Sequence, residues 1–471
     1  MKRSWKRAVL IVAILAFCFL LAFYLRFPDW FHAQPSREPP VSNQTFGDRL
    51  LVIAPHPDDE TLGGAGAILK QLEHHKQVKV VIMTTGDGYR KAVREQFHIA
   101  APKPSDFRKL GYVRHDESVH GLEALGVAPA DMIFLGYPDG GVNGLWQNNW
   151  EYSHLHKALN GCTHAPYPFA YEKQAPYCGT NVVKNLTAII REYQPTDILY
   201  PDPNDVHHDH WATQAFTKYT ITQMQYHAKE WTYLVHRYDW PVPWAYEPNL
   251  GLQPPISLLQ VGTRWFDLPL TQEEEGRKRT AIQQYRSQER VMEPFLEAFI
   301  RKNDLLGTYP PQQIPGVDTF PDFQKQEHVP RPLIIDPIGD TFTRKLHGAG
   351  DIRSLYVFKW QQKLWIVLQM RQEISADLSY FIRFRAFHSN QSTTRDDMKF
   401  LSNHLIEYSL ADNSRLYARL ENASMTIDDN RLMIGLPLTK DWGDVSNLMI
   451  SADTYQGHTL IDKSAWENGR F

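Results

Sequence analysis

The stretch Leu50-Leu-Val-Ile-Ala-Pro-His-Pro-Asp-Asp-Glu60 runs directly into Thr61-Leu-Gly-Gly-Ala-Gly-Ala-Ile-Leu-Lys70, and the junction between them decides the fold. The apolar run Leu51 to Ala54 predicts a short buried strand, stopped by Pro55 and Pro57. The residues after Glu60 predict the start of a helix. His56, Asp58 and Asp59 then stand at the carboxyl end of a strand, where α/β sheets place their ligands. One imidazole and two carboxylates within four residues offer nitrogen and oxygen donors of the kind zinc takes. The alternative is a turn whose acidic residues only complement a helix dipole.

A second stretch has the same grammar. Asp197-Ile-Leu-Tyr200 predicts another short strand, followed by Pro201-Asp-Pro-Asn-Asp-Val-His-His-Asp-His210 and a helix from Trp211 to about Tyr226. If the first turn is helical, His207 and His210 are three apart and share a face. A histidine cluster alone reads as solvated surface. Two polar clusters, each just beyond a buried strand, point instead to one shared site.

Taken together, His56-Pro-Asp-Asp-Glu60 and His207-x-Asp-His210 resemble the PIG-L/LmbE family of zinc-dependent de-N-acetylases. The likeness runs from about Leu50 to Gln288. It includes Thr84-Thr-Gly-Asp-Gly88, Arg114-x-x-Glu117, Leu125-Gly-Val127, Leu135-Gly-Tyr-Pro-Asp-Gly140 and Tyr285-Arg-Ser-Gln288, in the family's order. The resemblance implies one zinc ion per active site, held by His56, Asp59 and His210. It implies Asp58 as general base, His207 as oxyanion stabiliser or acid, and Asp209 as the carboxylate that holds an imidazole from behind. Glu60 reads more simply as a helix-start carboxylate. Arg114 and Asp139 match positions that contact sugar hydroxyls, although a buried Arg114–Glu117 pair would explain the arginine equally well.

Outward from this centre the chain divides. Its 471 residues exceed one ordinary domain, with 42% hydrophobic and 22% charged residues. A net charge of −3 argues against a nucleic-acid binder that relies on electrostatics. Residues 1–7 carry Lys2, Arg3, Lys6 and Arg7, and Ala8 to Leu25 follow without a charge. That run would be about 27 Å long as a helix, enough to span a bilayer core. The basic flank predicts a single-pass anchor with residues 1–7 in the cytoplasm and the catalytic domain outside, periplasmic or extracellular. A cleaved signal peptide is the rival reading. Residues 26–48, rich in proline, read as a tether.

Strand–helix alternation over 49–305 predicts an α/β, Rossmann-like, mostly parallel sheet flanked by helices, with 144–179 as an insertion over the site. Cys162 and Cys178 flank that insertion and would close it as a disulfide in an oxidising compartment, or remain buried thiols. Residues 306–334 are proline-rich and read as a linker crossed by few contacts. Over 335–471, runs such as Leu364-Trp-Ile-Val-Leu368 and Tyr380-Phe-Ile-Arg-Phe-Arg385 come without helical stretches and predict an all-β sandwich. Asp336-Pro-Ile-Gly-Asp340 with Asp351-Ile352 is weakly similar to DOMON-like carbohydrate-binding sandwiches, and these aspartates form a candidate calcium site.

The function this implies is removal of the N-acetyl group from N-acetylhexosamine residues of an extracytoplasmic glycan or glycolipid. The alternatives are a non-catalytic glycan-binding or scaffold protein on a deacetylase fold, or a deacetylase of a small glycoside precursor. Intact metal-ligand positions favour the enzyme.

Overall fold

Aliphatic runs separated by helical stretches build the first layer of the chain. Its computed structural model describes residues 46–238, 240–337, 348–401, 404–410, 423–438 and 442–471. In order, the elements are β1 (Arg49–Ala54), α1 (Asp59–Glu73), β2 (Gln77–Thr84), α2 (Arg90–Phe97), α3 (Pro104–Leu125) and β3 (Met132–Tyr137). There follow α4 (Val142–Gln147), α5 (Gly179–Tyr193), β4 (Asp197–Pro201), α6 (His208–Gln223), β5 (Lys229–Tyr233), β6 (Arg264–Pro269), α7 (Gln272–Ile282), α8 (Arg286–Glu297) and β7 (Asn303–Thr308). They form one sheet of order β3-β2-β1-β4-β5-β7-β6, parallel from β3 to β5, with β7 antiparallel to both neighbours.

The central strands are apolar throughout because both faces are covered. Leu50, Val52 and Ala54 enter a core with Ile68 and Leu122, while Leu51 and Ile53 enter the opposite core with Val183, Leu186 and Phe216. From β1 the chain first builds outward through β2 and β3, then returns to place β4 on the other side of β1. The pairs Leu50↔Asp197 and Val52↔Leu199 fix that register. The carboxyl ends of β1 and β4 therefore form the crevice where strand order reverses, the place open α/β sheets bind ligands.

The C-terminal region is all β. It runs from β8 (Gln312–Gln313) and β9 (Ile334–Ile335) through β10 (Ile352–Trp360), β11 (Lys363–Met370), β12 (Ser379–His388), β13 (Thr393–Leu401) and β14 (His404–Leu410). It continues with β15 (Ser424–Asp428), β16 (Arg431–Pro437), β17 (Val445–Gln456), β18 (Thr459–Lys463) and β19 (Glu467–Arg470). One sheet has the order β15-β16-β11-β10-β9 and the other β14-β13-β12-β17-β19-β8, with β18 on β17. Leu355, Ile366 and Ile434 of the first share a core with Ile382, Phe384 and Ile450 of the second, which makes the pair a sandwich.

The proline-rich stretch before the sandwich is packed rather than bare. Ile314 and Phe323 are buried, and β8 pairs with β19. The sandwich also shares a core with the α/β sheet. Trp466, Phe387 and Met449 lie in one apolar cluster with Trp146, Trp211, Phe216 and Tyr219. The Trp466 and Trp146 rings meet edge-on at 5.2 Å, and Trp211 Nε1 donates to Ser464 O at 3.0 Å.

Several expectations need correcting or bounding. The anchor expected over residues 8–25 lies outside the described residues. Among those described, no helix is long and apolar enough to cross a membrane. The longest, α3 with 22 residues, carries Arg108, Lys109, Arg114, Asp116 and Glu117 along its length. The single-pass, extracytoplasmic placement is corrected accordingly and is not carried forward. Cys162 and Cys178 are free thiols. Their segment is closed by backbone hydrogen bonds instead, Ala165 N to Ala175 O and Tyr177 N to Thr163 O, both 2.9 Å. The calcium expectation finds no support: Asp351 binds Arg371 at 2.8 Å, neither it nor Asp336 belongs to a candidate metal cluster among the described residues, and Asp340 lies outside those residues. The helix expected over Gln272 to Gln288 is two, α7 and α8, joined by a turn at 283–285.

Because the two units share an apolar cluster, truncation after Leu306 is expected to expose Trp146, Trp211 and Phe216 and yield an aggregated product by size-exclusion chromatography. In the full chain, Trp466→Ala is expected to lower stability by about 3–5 kcal/mol in urea unfolding. A soluble, monodisperse truncation with an unchanged unfolding midpoint would show that the sandwich contributes nothing to the core.

Candidate active site

Four strand ends deliver the polar groups. The turn after β1 brings His56, Asp58, Asp59 and Glu60; the turn after β3 brings Asp139; the loop after β4 brings Asp205, His207, Asp209 and His210; and His236 follows β5. His56, Asp58, Asp139, His207 and His236 line a cavity of about 340 Å³, together with Tyr89 and an apolar wall from α8.

Asp59 sits between two imidazoles. Its Oδ2 lies 3.0 Å from His56 Nδ1 and 3.0 Å from His210 Nε2. On its far side His210 Nδ1 approaches Asp205 at 3.0 Å, yet neither ring nitrogen has a well-directed hydrogen bond. Asp205 is itself fixed by the backbone N–H groups of His207, Val235 and His236. His56 Nε2 faces Asp139 at 3.2 Å and Asp209 at 3.3 Å. Asp209 accepts from Gly140 N (2.6 Å) and Val142 N (3.0 Å), so the turn after β3 locks the carboxylate that backs His56.

Asp58 adopts φ 109°, a left-handed backbone that a side chain rarely takes, and caps α1. Arg114 reaches under it from α3. Its Nη2 donates to Pro57 O (2.6 Å) and pairs with Asp58 Oδ2 (3.1 Å), and its Nη1 donates to Gly86 O (2.9 Å). Gly86, at φ +62°, leaves the room the guanidinium fills. Glu117 does not pair with Arg114; it accepts from Ser287 N and Oγ at 2.7 and 2.6 Å. Glu60 is turned away from the cavity, accepting from Tyr285 OH at 2.5 Å, Ser118 Oγ at 3.0 Å and Asp58 N at 3.0 Å.

The electrostatics are uneven. Burial raises the Asp58 carboxyl well above its ordinary range, against the opposing pull of Arg114. Burial acts the same way on Asp59, but His210 and His56 outweigh it and hold that carboxylate well below the usual range. Burial disfavours a charged His210, yet Asp205 and Asp59 lift it to about 9. Burial, reinforced by His56 and His210, lowers His207 to about 4, and His236 falls to about 3 through burial and His210. Burial pushes Glu60 up to about 7.

Four buried carboxylates (Asp58, Asp59, Asp205, Asp209) and the largely buried Asp139 thus surround four histidines (His56, His207, His210, His236) and one guanidinium, an arrangement richer in carboxylates than in fixed positive charge. The donors form three overlapping sets, each compact enough to hold one ion: His56, His207 and His210; Asp59, His210 and His236; and His56, Asp139 and Asp209. This mixture of imidazole nitrogen and carboxylate oxygen fits zinc. Every site residue expected from sequence is in this cluster. Asp205 and His236 were not assigned roles there, although His236 stands beyond a strand end as the others do.

The similarity to known proteins centres on this half of the chain. Residues 51–221 match the family PIG-L: GlcNAc-PI de-N-acetylase, a span that contains both histidine motifs. A 1D-myo-inositol 2-acetamido-2-deoxy-alpha-D-glucopyranoside deacetylase 1 from Catenulispora acidiphila is 33% identical over 121 residues, 25% of this chain and 36% of that protein. The deacetylase from Mycobacterium sp. (strain KMS) is 31% identical over 189 residues, 39% of this chain and 54% of that protein. The chain therefore spans about a third to a half of these relatives' lengths. Among solved structures, N,N'-diacetylchitobiose deacetylase from Pyrococcus horikoshii aligns over 53% of this chain and 75% of its own, at 22% identity and a TM-score of 0.32.

The web under Asp58 makes a direct prediction. Arg114→Ala removes a buried cation from two carbonyls and a carboxylate, so unfolding in urea is expected to show a loss of about 3–5 kcal/mol. Arg114→Lys should recover only part, because one ammonium cannot reproduce the two-pronged contact. A loss below about 1 kcal/mol, in the range of an exposed pair, would contradict this reading.

Proposed function

We propose that this chain, whose residues 51–221 are a PIG-L-family domain, is a zinc-dependent amidohydrolase that removes the N-acetyl group from N-acetylhexosamine residues of a glycoconjugate. The observation that carries the proposal is the meeting of the His56–Asp59 turn and the His207–His210 turn at the ends of neighbouring parallel strands.

An amide resists water because its carbonyl is stabilised, so hydrolysis needs an activated nucleophile, a polarised carbonyl and a stabilised oxyanion. His56, Asp59 and His210 would hold the zinc, which when bound supplies Lewis acidity and lowers the pKa of water. Asp209 orients His56 through its Nε2, and Asp205 sets a carboxylate beside Nδ1 of His210. Asp58 is the general base. Its buried carboxyl has the raised proton affinity a base requires, and Arg114 fixes where it points. The proton it takes is available for the departing amine.

His207 suits the oxyanion. Its Nδ1 accepts from Asp209 N at 3.3 Å, which leaves the proton on Nε2. With its ring kept neutral, His207 contributes a hydrogen-bond donor to the developing charge. Both Nη groups of Arg114 are engaged by the protein, so its part is to position Asp58. Asp139 faces the cavity beside His56 and is the better placed of the two to meet a sugar hydroxyl.

Acetate release from N-acetylglucosaminyl-inositol and related N-acetylated glycosides tests the reaction, and a chelator is expected to abolish it and zinc to restore it. His210→Ala and Asp59→Ala are expected to lose metal and activity together; full zinc occupancy in both, by elemental analysis, would sink the ligand assignment. Asp58→Asn is expected to keep zinc while turnover falls about 100-fold or more. Near-normal kcat in that variant would place the base elsewhere.

A further inference from the structure

Exposed large apolar side chains are not scattered evenly over the described surface. Tyr238, Trp244, Tyr246, Leu250, Ile256 and Leu259 all lie in the excursion between β5 and β6. Exposed apolar residues mark a binding surface where they adjoin a site. It borders the proposed active site: Phe295 of α8 lines the cavity and stacks on His236 at 5.5 Å, with their planes 7° apart. The indole of Trp244 meets the other side of this aromatic run, 5.4 Å from Phe295 and edge-on at 76°. His236, Phe295 and Trp244 thus form a chain of ring contacts from the cavity lining to an exposed indole.

The outer end of this chain of rings is rigidly built. Trp244 is 44% exposed, but the backbone on both sides of it is held from below by Arg301, itself only 1% exposed. Arg301 Nη2 donates to Pro243 O at 2.8 Å and Nη1 to Ala245 O at 3.3 Å. The neighbouring Tyr246 ring carries the Arg279 guanidinium at 4.4 Å, with a hydrogen bond of 3.3 Å to its hydroxyl. A buried cation that pins the chain around an exposed indole presents that ring at little further cost in order.

Resting on the deacetylase reading above, we propose that Trp244 forms a second sugar subsite, which stacks the pyranose adjoining the N-acetylhexosamine in the cavity. A cavity of about 340 Å³ is at the small end of ligand pockets and suits one sugar ring with its acetamido arm. The rest of any larger glycan must then lie over the rim. The C–H face of a pyranose is apolar and electropositive, and it matches the negative face of an indole. An exposed indole two residues from the Tyr246–Arg279 pair suits a sugar better than an alkyl chain, which gains nothing from polar neighbours. The substrate class is therefore an N-acetylated oligosaccharide or disaccharide unit rather than a lone aminosugar.

The test uses full-length protein carrying Asp58→Asn, so that ligands are bound without being consumed. Affinities are measured by calorimetry for N-acetylglucosamine, its β-1,4-linked dimer and its octyl glycoside. The dimer is expected to bind about tenfold tighter than the monosaccharide, which is ~1.4 kcal/mol. Adding Trp244→Ala should remove that advantage and leave monosaccharide affinity unchanged, while Trp244→Phe should retain most of it. The proposal is overturned if the dimer has no advantage, if the advantage survives Trp244→Ala, or if only the octyl glycoside depends on Trp244. Acetate release by the wild-type chain is read separately, so a failed subsite and a failed deacetylase reading remain distinguishable.

Discussion

Carboxylates buried without a matching cation are the constraint on which the rest of this structure depends. Burying an ionised group is expensive unless it is paired, and here the buried Asp58, Asp59, Asp205 and Asp209 are gathered at one crevice with the partly buried Asp139. Backbone N–H groups absorb part of the charge, at Asp205 and Asp209 in particular. Arg114 absorbs another part, and His210 is drawn toward the charged form by its two carboxylate neighbours. What remains is a site whose donors could hold a dication. The parallel pairing of β1 with β4 is what makes this concentration achievable, since it sets two turns from distant sequence side by side.

Much of that arrangement was legible in the sequence because both motifs follow short apolar strands. Strand ends in an α/β sheet converge, so two polar clusters after two strands could be joined without knowing the fold in detail. The same rule extended to β5 would have found His236. Other features had no local signal. The division of labour between Arg114, under Asp58, and Glu117, on Ser287, depends on which way each side chain leaves α3. Glu60 read as a helix-start carboxylate and does stand in the first turn of α1, but its contact with Tyr285, more than two hundred residues later, had no local signal. The antiparallel β6 and β7 carried no clear strand signal, β6 because it is an edge strand of mixed polarity and β7 because its run Asn303-Asp-Leu-Leu-Gly-Thr308 is short and largely polar.

The boundary between the two units shows why composition alone misleads about independence. Prolines over 310–332 suggest a tether, and they do interrupt regular structure. Packing across the boundary is decided elsewhere, by Trp466 and Phe387 inserting beside Trp146 and Phe216. One consequence reaches the active site: α6, whose first turn carries Asp209 and His210, is held by the sandwich through Trp211 to Ser464 and Gln214 to Trp466. The accessory region is thereby part of the frame that fixes the histidine motif, while the exposed loop around Trp244 lies between β5 and β6 of the α/β unit.

The central claim is that this crevice is completed by a single divalent cation. Calorimetric titration of zinc into chelator-treated wild-type protein measures it most directly, with thermal unfolding followed on the same samples. The account predicts one tight equivalent per chain and stabilisation of about 2.7 kcal/mol when free zinc reaches a hundred times its dissociation constant. Absence of a stoichiometric equivalent, or weak uptake of several ions with no rise in the unfolding temperature, would contradict it.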